Sequence, residues 1–181
     1  MSKLEKFNEL GVRITWKLID LGFKRSDIFK DELSTREIID YAISIMIKED
    51  NVAVDIIDLA CEYDTNVDKI NKCVKKLAEK ENAKYEFEYR KWRVIYVLRN
   101  LPNCEVDFIN GLIELGDIWV KLGFPSDSPH LFQGRHNDVI PDQYYTQKNY
   151  DALLHRHIEW IKNEIGAIKT EDVKMHASNK N

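Results

Sequence analysis

The chain has 181 residues, of which 44 % are apolar and 32 % charged, and its formal net charge is −4. This composition fits one globular domain and excludes a disordered chain, because the apolar fraction is high and the net charge is small. The small negative net charge also gives no support for binding of nucleic acid through general electrostatic attraction.

Several features of the sequence predict a cytoplasmic protein. The longest uncharged apolar runs are too short to span a bilayer, so we expect no membrane association. The first residues lack the continuous apolar segment of a signal peptide. Three cysteines without a CxxC pair are typical of free thiols in a reducing compartment.

Capping signals and apolar periodicity predict helices throughout the first half of the chain. Ser2 with Glu5, and Ser34 with Glu37, have the spacing of capping boxes. A helix over residues 16–21 is expected to close at a left-handed glycine, Gly22. Further helices are predicted over residues 35–48, 52–63 and from a turn at 64–66 to about 81.

Residues 85–101 fit two secondary structures. Their aromatic and apolar residues alternate as two strands around Arg90 and Lys91 would, but the aromatic residues also recur at helical spacing. Neither Gly nor Asn supplies a hairpin turn. We favour a helix, because a helix that is apolar nearly all round is typical of a buried central element.

Two further helices are predicted in the second half. The first covers residues 106–122 and contains two glycines, Gly111 and Gly116, which each cost about 1 kcal/mol relative to alanine. Close approach of a neighbouring helix is the usual compensation for that cost. The last helix is predicted over residues 147–165, with Gly166 as its stop.

Together these elements predict an all-α fold of about seven helices in an irregular array of antiparallel pairs. We expect a single domain over residues 1–166, followed by a polar, frayed tail over residues 167–181. Trp16, Trp92 and Trp119 each lie on a predicted apolar stripe and are expected in the core.

Three stretches of the chain resemble a known bacterial family. They are Glu9-Leu10-Gly11-Val12 with Ile14-Thr15-Trp16-Lys17 and Leu21-Gly22-Phe23, then Arg90-Lys91-Trp92, then Asp117-Ile118-Trp119 with Leu122-Gly123-Phe124-Pro125. Their order and spacing resemble the domain-of-unknown-function 2247 family over roughly residues 5–165. The resemblance implies a small, mostly helical, cytoplasmic bacterial protein and carries over no catalytic residue.

Charge placement gives one candidate binding site. Asp55, Asp58 and Glu62 form a negative ridge on the helix predicted at 52–63, and lysines dominate the helix that follows. The ridge fits a partner with a basic surface, as when nuclease inhibitors block a phosphate-binding cleft. Alternatively, two antiparallel helices carry opposite charges on their solvated faces and attract each other weakly.

The connection over residues 125–145 gives a second candidate site, because packed helices are usually joined by about 2–8 residues. Leu131, Phe132 and Ile140 are expected to pack against the helices. We expect the loop tip to face a partner or ligand, since the loop holds two histidines and an arginine beside aromatic residues, and arginine and aromatic residues are enriched at binding hot spots. The tip residues are Arg135, His136, Asn137 and Asp138. Alternatively, the loop only covers the core.

The sequence favours a non-enzymatic protein-interaction module. Its most specific form is an immunity protein that neutralises a basic toxin or nuclease domain. We expect no catalytic site, metal or other cofactor, because phosphate-binding loops, nucleophile elbows and zinc-ligand spacings are missing from the sequence. The sequence makes no prediction of the oligomeric state.

Two other classes of function stay open. One is a winged helix-turn-helix regulator that binds DNA through residues 52–98. The other is a metal-assisted hydrolase built on loop histidines, from His130, His136, Asp138 and His155. His157 is not part of this set, because it lies on an apolar stripe where we expect a packed, hydrogen-bonded histidine.

Overall fold

The computed structural model describes residues 2–102, 107–135 and 137–178, the last three as backbone only. Within these residues the chain forms α-helices and no strand, so the predicted all-α class is confirmed. In chain order the helices are α1 (Lys3–Glu9), α2 (Trp16–Asp20), α3 (Thr35–Lys48), α4 (Val54–Ala60), α5 (Val67–Lys80), α6 (Tyr85–Asn100), α7 (Phe108–Lys121), α8 (Pro141–Tyr144) and α9 (Gln147–Ser178). The predicted antiparallel arrangement stays a prediction.

Both predicted capping boxes are present. The Ser2 hydroxyl accepts from Leu4 N at 3.2 Å, and the Glu5 carboxylate accepts from Ser2 N at 3.0 Å. At the start of α3, the Ser34 hydroxyl accepts from Glu37 N at 3.2 Å, and the Glu37 carboxylate accepts from Ser34 N at 3.0 Å. Local side-chain signals three residues apart therefore position the first turns of both helices.

Residues 85–100 form one helix, α6, so the favoured helix is confirmed and the hairpin is wrong. Trp92, Val94, Ile95 and Val97 are all nearly fully buried, as expected for a helix that packs on most of its circumference. Because the hairpin does not form, residues 52–98 contain no β wing, and the winged form of the DNA-binding hypothesis is wrong.

The packing of the chain divides it into two compact units. The first contains residues 1–92 and 171–181, and the second contains residues 93–170. Helices α6 and α9 each contribute residues to both units. Units of this kind occur within single domains as well as in separate ones, so the single domain predicted for residues 1–166 stays a prediction.

The first unit is built around Trp92, which is 1 % exposed. Its indole Nε1 donates to Leu18 O at 2.7 Å. The Phe7 ring packs edge-on at 5.0 Å, and the Phe29 ring lies nearly parallel at 5.9 Å. Around this centre α2 packs against α5, and α4 packs against both α3 and α5. Trp16 is also buried, so both tryptophans predicted for this core are confirmed.

Helix α2 does not close at Gly22 but continues as a π turn over Leu21–Arg25. The predicted left-handed conformation at Gly22 is wrong, because its φ is not positive. Its Cα faces the Trp92 ring, and a Cβ at this position would lie 2.1 Å from Trp92 Cζ2. Gly22 therefore permits close approach of an aromatic ring rather than a reversal of the chain.

The second unit is built around Trp119, which is fully buried, as predicted. Its indole Nε1 donates to His157 Nε2 at 2.7 Å, and the Trp160 ring packs edge-on at 5.1 Å. On the same helix a Cβ at Gly111 would lie 2.4 Å from the Tyr150 ring. A neighbouring helix thus compensates for this glycine, as predicted.

Helix α9 passes through Gly166, so the predicted stop at Gly166 is wrong. The next turns contain a fully buried residue, Ile168. Two ion pairs then join α9 to α6, Glu171 with Arg90 at 2.7 Å and Asp172 with Lys91 at 3.1 Å. The tail predicted to be frayed is therefore helical as far as Ser178, while residues 179–181 lie outside the described residues. Despite the length of α9, no helix in the described part of the chain has the length and apolarity needed to cross a membrane.

We expect Gly166→Ala to stabilise the protein by about 1 kcal/mol. No atom lies within 4 Å of a Cβ at this position, so alanine supplies its higher helix propensity without a clash. Urea unfolding followed by circular dichroism measures the change in the free energy of unfolding. A loss of stability would contradict a helix that is continuous through residue 166.

Candidate functional site

Helix α7 exposes a row of large apolar side chains opposite its buried stripe. Ile109, Ile113 and Val120 are between 45 and 52 % exposed. Their helical spacing places them on one face with the exposed carboxylate of Asp117, and Phe124 extends the row beyond the end of the helix. We call these five residues the α7 face. Exposed apolar side chains that share one face and are accompanied by a polar group make this face a candidate interaction site.

The turn after α7 holds Phe124 in an uncommon backbone conformation. Gly123 and Phe124 have φ angles of 74° and 54°, and Phe124 N donates to Trp119 O at 2.9 Å. A left-handed conformation costs a residue with a Cβ about 1–3 kcal/mol. The Phe124 ring nevertheless stays 37 % exposed, edge-on to Phe132 at 4.9 Å. The strained turn therefore holds an aromatic ring at the surface.

The loop between α7 and α8 is organised around the buried side chain of His130. Its Nε2 lies 3.1 Å from the Tyr144 hydroxyl, and its ring packs edge-on to Phe132 at 4.4 Å. Burial, assisted by the neighbouring His157, lowers the pKa of His130 to about 3. The imidazole is therefore neutral near pH 7 and adds no charge to this part of the molecule.

His157 is packed and hydrogen-bonded, as predicted. Its Nδ1 lies 2.6 Å from Leu153 O, and its Nε2 accepts from Trp119 Nε1 at 2.7 Å. An indole N–H can only donate, so Nε2 is the acceptor and Nδ1 carries the proton. Burial lowers the pKa of His157, which is consistent with this neutral tautomer.

The residues of the predicted loop tip have different environments. Arg135 is exposed, and its guanidinium carbon lies 3.9 Å from the centroid of the Phe124 ring. Asn137 is half-buried and hydrogen-bonded within the loop, whereas Asp138 is exposed. His136 lies outside the described residues. Of the three tip residues that the structure describes, Arg135 is the one placed against the α7 face.

Asn137 is the main hydrogen-bonding brace of the loop. Its Oδ1 accepts from Gly134 N and Val139 N, both at 3.2 Å. Its Nδ2 donates to Phe132 O at 2.7 Å and to Arg135 O at 2.9 Å. All four bonds go to backbone groups, as is typical of Asn in a tight loop.

We expect Asn137→Ala to lower the free energy of unfolding by about 1–3 kcal/mol, because four backbone groups lose their partner at once. Amide hydrogen exchange at Gly134 and Val139 should accelerate in the same variant. Unchanged exchange at both amides would contradict the role of Asn137 as the brace of the loop.

The predicted packing of the loop is only partly correct. Leu131 and Phe132 are half-buried, but Ile140 is 53 % exposed, so its predicted burial is wrong. Ile140 is the extended N-cap residue of α8, and its carbonyl accepts from Gln143 N and Tyr144 N at 3.0 Å. Tyr144, one turn later, is the residue that α8 buries.

Two cavities in the second unit share His130 and Phe132 as lining residues. The first has a volume of about 240 Å³ and is bordered by α7, the loop and the end of α8. Among its described lining residues Asp117 alone is charged near pH 7, and we call it the acidic cavity. The second, of about 290 Å³, is bordered by Arg135. Their sizes suit single side chains better than a drug-sized ligand.

Two members of the predicted negative ridge form ion pairs with lysines of α5. The pairs are Asp55 with Lys76 at 2.6 Å and with Lys80, and Glu62 with Lys69. These contacts lower the pKa of Asp55 and, chiefly through Lys69, lower the pKa of Glu62 to about 2. Asp58 is exposed. The pairing agrees with the alternative in which α4 and α5 attract each other through opposite charges.

The groups considered for a metal-assisted hydrolase lie in different environments. His130 is buried and contacts Tyr144, whereas His155 is exposed on α9. Asp138 is exposed, and His136 lies outside the described residues. In the part of the chain that the structure describes, no three His, Cys, Asp or Glu side chains are grouped so that they could hold a metal ion.

A buried ionic cluster in the first unit is not among the residues predicted from the sequence. Lys91 Nζ lies 3.2 and 3.3 Å from the two Glu88 oxygens and 3.1 Å from Asp172 Oδ1. It also donates to Arg13 O at 3.1 Å, and Glu88 and Asp172 border a cavity of about 200 Å³. The sequence does contain a signal for this cluster, since Glu88 and Lys91 lie three residues apart on a helix that is apolar nearly all round. Charged side chains buried on such a helix require partners of opposite charge.

Glu88 is expected to make stability depend on pH. Burial raises the pKa of Glu88 from 4.5 to about 7, and Lys91 offsets only part of that rise. The folded state therefore binds this proton more tightly than the unfolded state. Its contribution is fully present below about pH 4.5 and is lost as the pH rises through 7, by up to about 3 kcal/mol.

The measurement for Glu88 is urea unfolding at pH 5 and at pH 8, for the wild type and for Glu88→Gln. The difference in free energy of unfolding between the two pH values should shrink by about 2–3 kcal/mol in the variant. Titrating groups that are distant from Glu88 contribute equally to both proteins. Equal pH dependence in both would contradict the raised pKa.

Comparison with known proteins places the chain among bacterial sequences. A family model described as an uncharacterized protein conserved in bacteria (DUF2247) matches residues 4–165. The match includes all three stretches on which the resemblance depends, so that resemblance is confirmed. No curated protein and no solved structure gives a significant match.

Proposed function

The chain belongs to the bacterial DUF2247 family, and we propose that it is a protein-interaction module that binds its partner through the α7 face. The observation that carries this proposal is the row of exposed apolar side chains on α7, continued by the ring of Phe124. Burying such a row against a partner removes apolar surface from water, which is the main favourable term in protein association.

The turn at Phe124 adds weight to the proposal. Core packing does not require a strained residue to keep its ring at the surface, whereas a binding site gains from a rigidly held aromatic anchor. The Arg135 guanidinium stacks on that ring, which brings together two residue types that are enriched in protein interfaces. Phe124 and Arg135 therefore form one end of the proposed contact.

The partner that we propose presents basic and apolar side chains. Both acidic residues on the exposed side of α7, Glu114 and Asp117, are solvent-accessible, and the chain has a formal net charge of −4. Complementary charge increases the rate of association and selects against wrong partners. Because Asp55 and Glu62 are in ion pairs with lysines, α7 offers the more available acidic groups.

The most specific form of this function is that of an immunity protein. We propose that the partner is a toxin, such as a basic nuclease domain, and that the chain neutralises it in the cytoplasm of a bacterium. The bacterial family and the exposed, acid-containing α7 face support this form.

Photo-crosslinking inside the native bacterium tests the binding surface. A benzophenone amino acid replaces Ile113 or Val120 in separate variants, and replaces Ile47 of α3, which is 80 % exposed, as the matched control. We expect one and the same protein to be crosslinked from positions 113 and 120 but not from position 47. No adduct, an adduct equally strong from position 47, or an adduct between two copies of this chain would contradict the proposal.

The immunity role has its own test. The crosslinked protein is expressed from an inducible promoter in a laboratory strain, with or without this chain. We expect growth arrest that the wild-type chain relieves and that Ile113→Asp does not relieve. A partner that leaves growth unaffected would contradict the immunity role while leaving the interaction module intact.

A further inference from the structure

We infer that the acidic cavity beside α7 receives the side chain of a lysine or arginine from the protein partner. The inference rests on the proposed function and names the chemistry of the group that the α7 face recognises. It depends on the shape of the cavity, the position of its single charge and the presence of a glycine that core packing does not require.

The walls of the acidic cavity suit the aliphatic part of a long basic side chain. Ile113 and Val120 line it from α7, and Tyr144 and Tyr145 line it from the end of α8. Lysine and arginine bury their methylene groups against apolar surface of this kind while the charged end stays near a polar group. A volume of about 240 Å³ is sufficient for one such side chain.

The charge in the cavity favours a cation. Asp117 is the one described lining residue with a formal charge near pH 7, because burial keeps His130 neutral and the Tyr144 hydroxyl protonated. The rings of Tyr144 and Tyr145 meet edge-on at 5.0 Å, and the faces of aromatic rings attract cations. An acidic or neutral side chain would gain neither interaction.

Nearby basic residues of the same unit have other contacts. Lys121 Nζ lies 5.9 Å from the centroid of the Tyr96 ring, and the Arg135 guanidinium lies over the Phe124 ring. The Tyr96 and Phe124 rings do not line the acidic cavity. The Arg135 guanidinium also lies 5.8 Å from the centroid of the Phe132 ring, which both cavities share, but Arg135 borders the second cavity and not the acidic one. Asp117 is therefore available to a cation from outside the chain.

Gly116 keeps the floor of the acidic cavity open. Its position inside α7 costs about 1 kcal/mol relative to alanine. At Gly111 the Tyr150 ring explains that cost, but a Cβ at Gly116 would meet only His130 Nε2 and Phe132 Cε1, both at 3.6 Å, which is an ordinary contact. Packing therefore tolerates alanine at 116. The open space above Gly116 therefore serves an occupant of the acidic cavity and not the packing of the core.

The test uses two small amides and nuclear magnetic resonance. N-acetyl-lysine methylamide is titrated into the ¹⁵N-labelled protein, followed at the amides of Gly116 and Val120. N-acetyl-norleucine methylamide, which lacks the charge, is the comparison ligand. We expect the lysine compound to bind about tenfold more tightly, from the charge of Asp117.

Three variants assign that preference to the cavity. Asp117→Asn should abolish the difference between the two amides, whereas Asp151→Asn, at an exposed acid of α9 in the same unit that does not line the cavity, should leave it unchanged. Gly116→Ala should weaken binding of both amides about tenfold while raising the midpoint of urea unfolding. The rise in stability excludes misfolding as the reason for the lost binding.

The inference is overturned if neither amide shifts the Gly116 and Val120 signals, if both bind equally, or if Asp117→Asn keeps the preference for lysine. These outcomes are separate from those of the crosslinking experiment. A crosslinked partner without amide binding leaves the proposed function in place and removes this inference. Amide binding without a crosslinked partner contradicts the proposed function and leaves the acidic cavity as a site that prefers a basic side chain.

Discussion

Lys91→Met is expected to lower the free energy of unfolding by about 3–5 kcal/mol. The Lys91 side chain is fully buried and makes contacts with Glu88, Asp172 and the carbonyl of Arg13. Methionine fills a similar volume but leaves the Glu88 carboxylate buried without a cation. An unpaired charge in the interior is far more costly than the net gain from a paired one. Urea unfolding at pH 8 measures the loss.

Two controls separate the lost charge from the lost side chain. Arg90, the preceding residue on α6, pairs with Glu171 but is about one-third exposed, so Arg90→Met should cost much less than Lys91→Met. Adding Glu88→Gln to Lys91→Met should restore more than half of the lost stability, since it removes the unpaired carboxylate. Similar losses in Lys91→Met and Arg90→Met would contradict the role of the buried cluster.

Gly22→Ala is expected to destabilise the protein by about 3 kcal/mol or more, at the upper end of overpacking effects. The new Cβ would lie 2.1, 2.7 and 2.9 Å from three atoms of the Trp92 indole. The indole has no room to move, because Phe7 and Phe29 pack on it and Nε1 donates to Leu18 O. Either the ring or the π turn must shift.

Gly166→Ala is the matched comparison for Gly22→Ala. Both glycines lie in helical segments without a positive φ, and they differ in whether a neighbour occupies the space beyond Cα. Thermal unfolding of the two variants should therefore move the midpoint in opposite directions. A stable Gly22→Ala protein would contradict the close approach of Trp92.

Helices are predictable from the sequence where their signals are local. Ser34 and Glu37 position α3 within the predicted residues 35–48 because a capping box depends on residues three apart. The predictions fail at Gly22 and Gly166, where a glycine resembles a helix stop. At Gly22 the deciding contact comes from Trp92, and beyond Gly166 from ion pairs with α6. Local periodicity carries no information about such distant partners.

The candidate site is less predictable than the fold. Arg135 is identified by its residue type, but its position depends on the left-handed backbone of Phe124. Ile109, Ile113 and Val120 form a second apolar row on α7, and the sequence does contain this signal. Periodicity alone does not distinguish a second buried face from an exposed one, because that depends on which elements pack around the helix.

The affinity of the crosslinked partner for two exposed-isoleucine variants tests the proposed binding surface most directly. Ile113→Asp places a charge on the α7 face, and Ile47→Asp places the same charge on α3 in the other unit. Isothermal titration calorimetry should show a dissociation constant about 100-fold larger for Ile113→Asp, and the wild-type dissociation constant for Ile47→Asp. Equal affinity of both variants, at unchanged unfolding midpoints, would contradict binding through the α7 face.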